Sequence, residues 1–164
     1  MLRPHKMSGK YDASVELGTP AEVNGDWVGL RCDKCGHQAL PGRLLEVLSE
    51  EAVLAMLTVD RCLSGNEAKF LRKAALGVGQ EELARRLGIT RVTVARWEGR
   101  RSLSAEHDFE LRSLVMGQLL KTSLVGPTAW KKHRPRLVQL LPKVLEGARP
   151  SQAPARPPPL RIAA

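Results

Sequence analysis

Two groups of residues in this sequence have the types and spacing to do chemistry. The first is Cys32-Asp33-Lys34-Cys35-Gly36. Two thiolates three residues apart on a turn are half of a tetrahedral zinc site, and the remaining ligands must come from elsewhere. No second Cys-x-x-Cys follows or precedes it. The candidates for further ligands are Cys62, His5 and His37. His37 lies so close to Cys35 that sharing one metal would strain the loop. Three readings stay open at this point: a zinc pair completed from a distance, a pair without metal, and a redox dithiol. A thiol oxidoreductase would place the pair between a strand and a helix start in a thioredoxin-like unit, and the flanking sequence has no βαβ pattern.

The second group is Arg91-Val92-Thr93-Val94-Ala95-Arg96-Trp97. On a helix, Val94 and Trp97 are three apart and share an inward face, which turns Arg91, Val92, Ala95 and Arg96 outward. Two guanidiniums beside small apolar groups suit the major groove of DNA. Arginine pairs bidentately with guanine O6 and N7, and valine touches a thymine methyl. Thr90 and Gln80, each at the start of a helix, are placed to meet phosphates. The expected DNA-binding residues are therefore Gln80, Thr90, Arg91, Val92, Thr93, Ala95 and Arg96.

The elements that must hold this face are legible around it. Leu83, Ala84 and Leu87 form one side of a helix, and the small Ala84 lets a second helix cross closely. Gly88 supplies the left-handed residue that ends the first helix. Ile89 plugs the turn and Thr90 caps the next helix. This stretch resembles the helix-turn-helix of the Xre and phage-repressor class, Gln-x-x-Leu-Ala-x-x-Leu-Gly-[Ile/Val]-[Ser/Thr]-x-x-Thr-[Val/Ile]-x-x-[Trp/Tyr]-Glu, and meets every position from Gln80 to Glu98. The resemblance spans residues 64–118 and implies that Arg91, Val92 and Arg96 face the bases. One departure is Gly99, one residue earlier than the class usually places its glycine.

Charge supports a polyanion partner. The chain has 164 residues and a formal net charge of +9. Residues 1–60 carry a net −3 and residues 61–164 a net +12. A basic module follows a mildly acidic one, and Lys and Arg gain free energy by releasing counterions from phosphates. Apolar residues make up 43%, aromatics only 4%, so the core is built mainly from Leu, Val and Ala. The apolar runs are far shorter than the roughly 20 residues of a membrane span, and no signal-peptide pattern opens the sequence. With three cysteines and no disulfide framework, the expected compartment is the reducing cytoplasm.

Along the chain, residues 1–31 are rich in Gly, Pro and polar residues, and Asn24-Gly25 predicts a hairpin turn ahead of a strand at residues 27–30. Leucines and valines from Leu44 to Leu57 recur at helical spacing, with Ser49 a candidate cap for a second helix. Residues 66–121 read as four or five short helices. A surplus of apolar residues at Leu111, Leu114, Val115, Leu119 and Leu120 suggests packing on a second copy. Lys131-Lys132-His133-Arg134 and Arg136 form a basic cluster. His107, beside Asp108, reads as a solvated surface residue. The prolines of residues 147–164 predict a disordered tail.

The order of parts resembles the MqsA-type antitoxins, in which a zinc-ribbon module with two Cys-x-x-Cys pairs precedes an Xre-like domain. That resemblance would put the first pair near residues 3 and 6, where this chain has Arg3 and Lys6. The fold class expected is mainly α. A small N-terminal α+β, zinc-ribbon-like module (residues 1–60) precedes an all-α helix-turn-helix domain (64–124). A basic helical segment (125–146) and a disordered tail (147–164) follow. The implied function is that of a homodimeric, sequence-specific repressor on a palindromic operator. The resemblance adds an antitoxin role, a cognate toxin partner and a zinc held by Cys32 and Cys35 with Cys62 or His5. A stand-alone regulator and a zinc-ribbon protein-interaction adaptor are the alternatives. The sequence carries no triad, P-loop or dinucleotide fingerprint, and no catalytic residue is expected.

Overall fold

The computed structural model describes residues 2–122 and 160–163. The expected basic segment 125–146, with its cluster at 131–136, and tail residues 147–159 lie outside the described residues. The chain divides into two compact units, Met1–Ala52 with Pro158–Ala164, and Val53–Pro157. The division falls inside one helix rather than in the connection near residue 60.

The first unit is built on a long antiparallel pair, β1 (Leu2–Asp12) and β2 (Ala21–Cys32), in register from Leu2↔Cys32 to Asp12↔Glu22. Burial alternates along β2, with Ala21, Val23, Trp27 and Gly29 inward, as expected of a strand with one covered face. β1 is an edge strand, which is why Pro4 is tolerated within it. The expected turn at Asn24-Gly25 is not where the chain reverses. Gly25 (φ +125°) lies within β2 opposite Gly9 (φ +94°). The two positive-φ glycines face each other within the paired strands and close no hairpin. The reversal is made by residues 13–20, around the single helical turn α1 (Ser14–Leu17), which ends at Gly18 with φ +67°. Ser14 N–H donates to Asp12 Oδ1 at 2.9 Å to start it. Ser14–Leu17, apolar at every second residue, is thus helical, with only Leu17 buried.

The other edge of β2 carries two short partners. β3 (Gln38–Ala39) pairs antiparallel with Leu30 and Arg31. β4 (Leu160–Ala163) pairs parallel with Ala21 to Asn24. This corrects the expectation of disorder for residues 160–163. The stretch Leu160-Arg161-Ile162 lacks proline, and β3 leaves this end of the β2 edge open for backbone pairing.

α2 (Gly42–Thr58) is one helix of 17 residues, not two. Ser49 does not cap. Its hydroxyl donates to the Leu45 carbonyl at 2.7 Å, so it is absorbed into the helix. The second unit continues with α3 (Gly65–Phe70), a π-helical turn (Leu71–Ala75), α4 (Gln80–Leu87), α5 (Arg91–Glu98) and α6 (Ala105–Thr122). Leu63, Leu71, Leu83, Val94, Trp97, Leu111 and Val115 form its core. In α6, Leu111, Val115 and Leu119 are buried while Leu120 is exposed. Among the described residues no helix is long and apolar enough to cross a membrane.

Candidate nucleic-acid interface

The recognition face begins with how α4 stops. Gly88 adopts φ +68°, Ile89 N–H donates to the Ala84 carbonyl at 3.0 Å, and Gly88 N–H reaches the Arg85 carbonyl at 3.4 Å. This pair of bonds satisfies the last carbonyls of α4 and turns the chain sharply. Thr90 then caps α5: its Oγ1 accepts from Thr93 N–H at 3.2 Å and lies 2.9 Å from Thr93 Oγ1. Leu83 and Ala84 of α4 are buried, as are Val94 and Trp97 of α5.

With those residues inside, Arg91, Val92, Ala95 and Arg96 are all exposed. Val92 is 58% exposed, a large apolar side chain in water on a helix whose other large apolar residues, Val94 and Trp97, are covered. The four residues expected to point outward, among them Arg91, Val92 and Arg96 at the expected base-facing positions, are thus brought together on one face. Thr93 is half-buried, and its hydroxyl and N–H are engaged by Thr90, so it shapes the start of the helix. Gln80 is half-buried at the start of α4. Its Nε2 donates to Glu98 Oε2 at 2.9 Å, which fixes the amide and leaves its oxygen and one N–H for other partners. Arg100 and Arg101 follow α5 and are exposed. They extend the cationic surface beyond the residues picked out by helical spacing.

The clamp behind this face was not visible in the spacing. Arg72, in the π-helical turn, sends Nε to Glu98 Oε1 at 2.6 Å, a second nitrogen to Oε2 at 3.2 Å, and a third to the Val78 carbonyl at 2.7 Å. Both side chains are nearly buried. Burial alone would raise the Glu98 carboxyl. Hydrogen bonds from Arg72 and Gln80, with the charges of Arg72 and Lys69, outweigh it and hold Glu98 below the usual carboxylate range. Glu98 therefore ties the end of α5 to the π-helical turn after α3 and to the start of α4. The shared Leu, Ala and Gly positions announce the turn, but only the fold brings residue 72 to residue 98.

His107 is not a solvated surface residue. Its ring packs against Trp97 with centroids 4.4 Å apart, and its Nδ1 lies 2.7 Å from Ser104 Oγ. Asp108 beside it is fully buried and accepts from Leu63 N–H at 2.7 Å and from Arg112 at 2.9 Å. Gly99, the departure from the class pattern, has φ −93°, a conformation open to any residue. The shifted glycine thus leaves the end of α5 intact.

The cysteine turn stands in the first unit. Cys32 ends β2, and Gly36 (φ +70°) closes the turn, donating to the Cys32 carbonyl at 2.9 Å while Cys32 N–H donates to the His37 carbonyl at 2.8 Å. Backbone N–H groups of Cys35 and Lys34, then the Cys35 thiol, hydrogen-bond the Cys32 sulfur and hold its pKa down. A cavity of about 340 Å³ opens beside it, lined by Arg3, His5, Arg31, Cys32, Asp33 and Gly36. His5 thus shares a cavity with Cys32. Cys62 is fully buried in the second unit, where burial raises its thiol pKa. Among the described residues no three His, Cys, Asp or Glu side chains gather at one point. Lys6 lies in β1 opposite Val28. Arg3, where the antitoxin resemblance would put a thiolate, pairs with Asp33 of the turn at 3.1 Å.

Residues 69–107 match the helix-turn-helix family, a span from the end of α3 to the first turn of α6. No curated protein and no solved structure was found to match the chain. The matched span and the geometry of α4, Gly88 and α5 agree: this part of the chain is an Xre-like helix-turn-helix, the kind of domain that serves DNA-binding transcriptional regulators.

Proposed function

We propose that the protein is a sequence-specific transcriptional repressor that binds a palindromic operator as a homodimer, with α5 in the major groove. The observation that carries this reading is the exposed face of Arg91, Val92, Ala95 and Arg96 on a helix whose opposite face is buried. Arg91 and Arg96 pair with guanines and Val92 with a thymine methyl. The capped start of α5 at Thr90, with Gln80, Arg100 and Arg101, meets the phosphates that set register. The exposed Leu120 of α6 belongs to the dimer contact, which spaces two reading helices roughly 34 Å apart. The protein works in the cytoplasm, on the nucleoid when bound, and catalyses nothing.

The order of parts, a Cys-x-x-Cys module ahead of an Xre-like domain, supports a second layer. The protein is the antitoxin of a type II pair and represses its own operon. A neighbouring gene for a small ribonuclease-like protein distinguishes this from a stand-alone regulator.

The test is binding of labelled duplex from the protein's own upstream region across a salt series. Wild type is expected to prefer this sequence strongly over scrambled duplex. Arg91→Ala/Arg96→Ala is expected to lose mainly the preference, at about 1–3 kcal/mol for each base contact removed. Weak and equal binding of both proteins to every duplex would sink the repressor reading and favour the adaptor.

A further inference from the structure

The DNA-binding reading leaves the cysteine turn unused. We propose that Cys32 and Cys35 are a reversible dithiol–disulfide pair, in which Cys32 is the site of attack on a peroxide and Cys35 resolves the product. Three observations carry this. The first is reach. The turn from Cys32 to Gly36 is closed by backbone bonds of 2.9 and 2.8 Å. Residues i and i+3 of such a turn have Cα atoms within about 7 Å, and a disulfide spans about 4.4–6.8 Å. Both cysteines belong to this one turn, so bond formation needs side-chain rotation and little else.

The second is access. Cys32 is half-buried and Cys35 exposed, whereas Cys62 is fully buried. Oxidation follows exposure and thiolate character. The third is the surrounding charge. The cavity beside Cys32 is lined by two guanidiniums, Arg3 and Arg31, and one carboxylate, Asp33, already paired with Arg3. A net positive wall faces the hydroxide that departs from the peroxide. The same arrangement puts an arginine where the antitoxin resemblance calls for a third sulfur ligand.

The chemistry balances as follows. The Cys32 thiolate attacks one oxygen of hydrogen peroxide. The S–O bond forms as the O–O bond breaks, and the departing hydroxide takes the Cys35 proton to become water. The Cys35 thiolate then attacks the Cys32 sulfur. The S–S bond forms, the S–O bond breaks, and the leaving hydroxide takes up from solvent the proton that Cys32 gave up on becoming a thiolate, giving a second water. Two electrons pass from the dithiol to the peroxide, and a low-molecular-weight thiol restores the pair by exchange.

The full-length protein tests this by peptide mapping after hydrogen peroxide treatment and alkylation. Trypsin cuts after Arg31 and Lys34, so the disulfide joins two otherwise separate peptides. The expected result is a Cys32–Cys35 linked pair that glutathione reverses, with Cys62 alkylated only on unfolding. Cys35→Ser should stop at a sulfenic acid on Cys32 that dimedone captures, and Arg31→Ala should slow oxidation severalfold. The proposal is overturned if both thiols stay open to alkylation after excess peroxide, or if dimedone marks Cys62 instead. It is equally overturned if the purified protein carries zinc and its thiols react only after chelation. None of these readouts depends on DNA binding, so this proposal and the repressor reading fail separately.

Discussion

A single carboxylate organises the DNA-binding face. Glu98 accepts from Arg72 and from Gln80, and through them it joins the end of the reading helix to the two segments before it. Removing one partner of a buried ion pair strands the other charge away from water. For Glu98→Ala we expect a loss of about 3–5 kcal/mol in unfolding free energy, measured by urea denaturation. The double change Arg72→Met/Glu98→Leu should cost much less, because neither charge is then left buried alone. If the single and double variants lose equally, the pair is not what fixes this corner. Arg91 and Arg96 are the contrast. Both are exposed, so their removal should leave stability nearly unchanged while base preference falls.

At the scale of elements, the junction between α3 and α5 is tight. Ser64 and Glu67 cap α3 reciprocally, with Glu67 Oε2 accepting from Ser64 N–H at 2.8 Å. Gly65 N–H donates to the Arg100 carbonyl at 3.1 Å. A methyl group at Gly65 would sit 2.7 Å from the carbonyl oxygens of both Glu98 and Arg100. Backbone cannot yield as a side-chain end can, so Gly65→Ala should destabilise the helix-turn-helix unit by about 1–3 kcal/mol. Thermal unfolding followed by circular dichroism checks it, and an unchanged midpoint would show that α3 can shift away. How much of this was legible follows from range. Leu83, Ala84, Gly88, Thr90, Val94 and Trp97 act on neighbours a few residues away, and local spacing placed each correctly. Arg72, Gly65 and Asp108 act on residues distant in sequence, and no local pattern marks them. Asn24-Gly25 misled for a related reason. Gly25 does take a positive φ, but its pairing with Gly9 is a property of two strands. The open β2 edge that Leu160–Ala163 pairs with is likewise a property of the sheet.

Over the whole molecule, the two units differ in how they use charge. In the first, Arg3–Asp33 and Lys10–Glu22 are largely exposed pairs, of the kind worth about 0–1 kcal/mol. In the second, Arg61–Glu67, Arg72–Glu98 and Arg112–Asp108 are nearly buried. Arg112 also donates to the carbonyls of Met56, Leu57, Val59 and Arg61, fixing the end of α2 to α6. For Glu67, burial pushes the carboxyl up, but the Arg61 side chain and the Ser64 N–H outweigh it and hold it below its ordinary value. Glu98 is held down in the same way. Groups with depressed folded-state values add stability that is fully present above the unfolded carboxylate range and is lost as pH falls through the folded values. Acid should therefore unfold the helix-turn-helix unit first. The urea midpoint reported by the buried Trp97 should stay level near neutrality and drop through the carboxylate range. In Arg72→Met/Glu98→Leu the drop should be shallower, since one of the depressed carboxylates is gone. A midpoint that fell equally in both proteins would place the acid response outside the Glu98 clamp. One that never fell would mean that neither carboxylate is held ionised by its arginine.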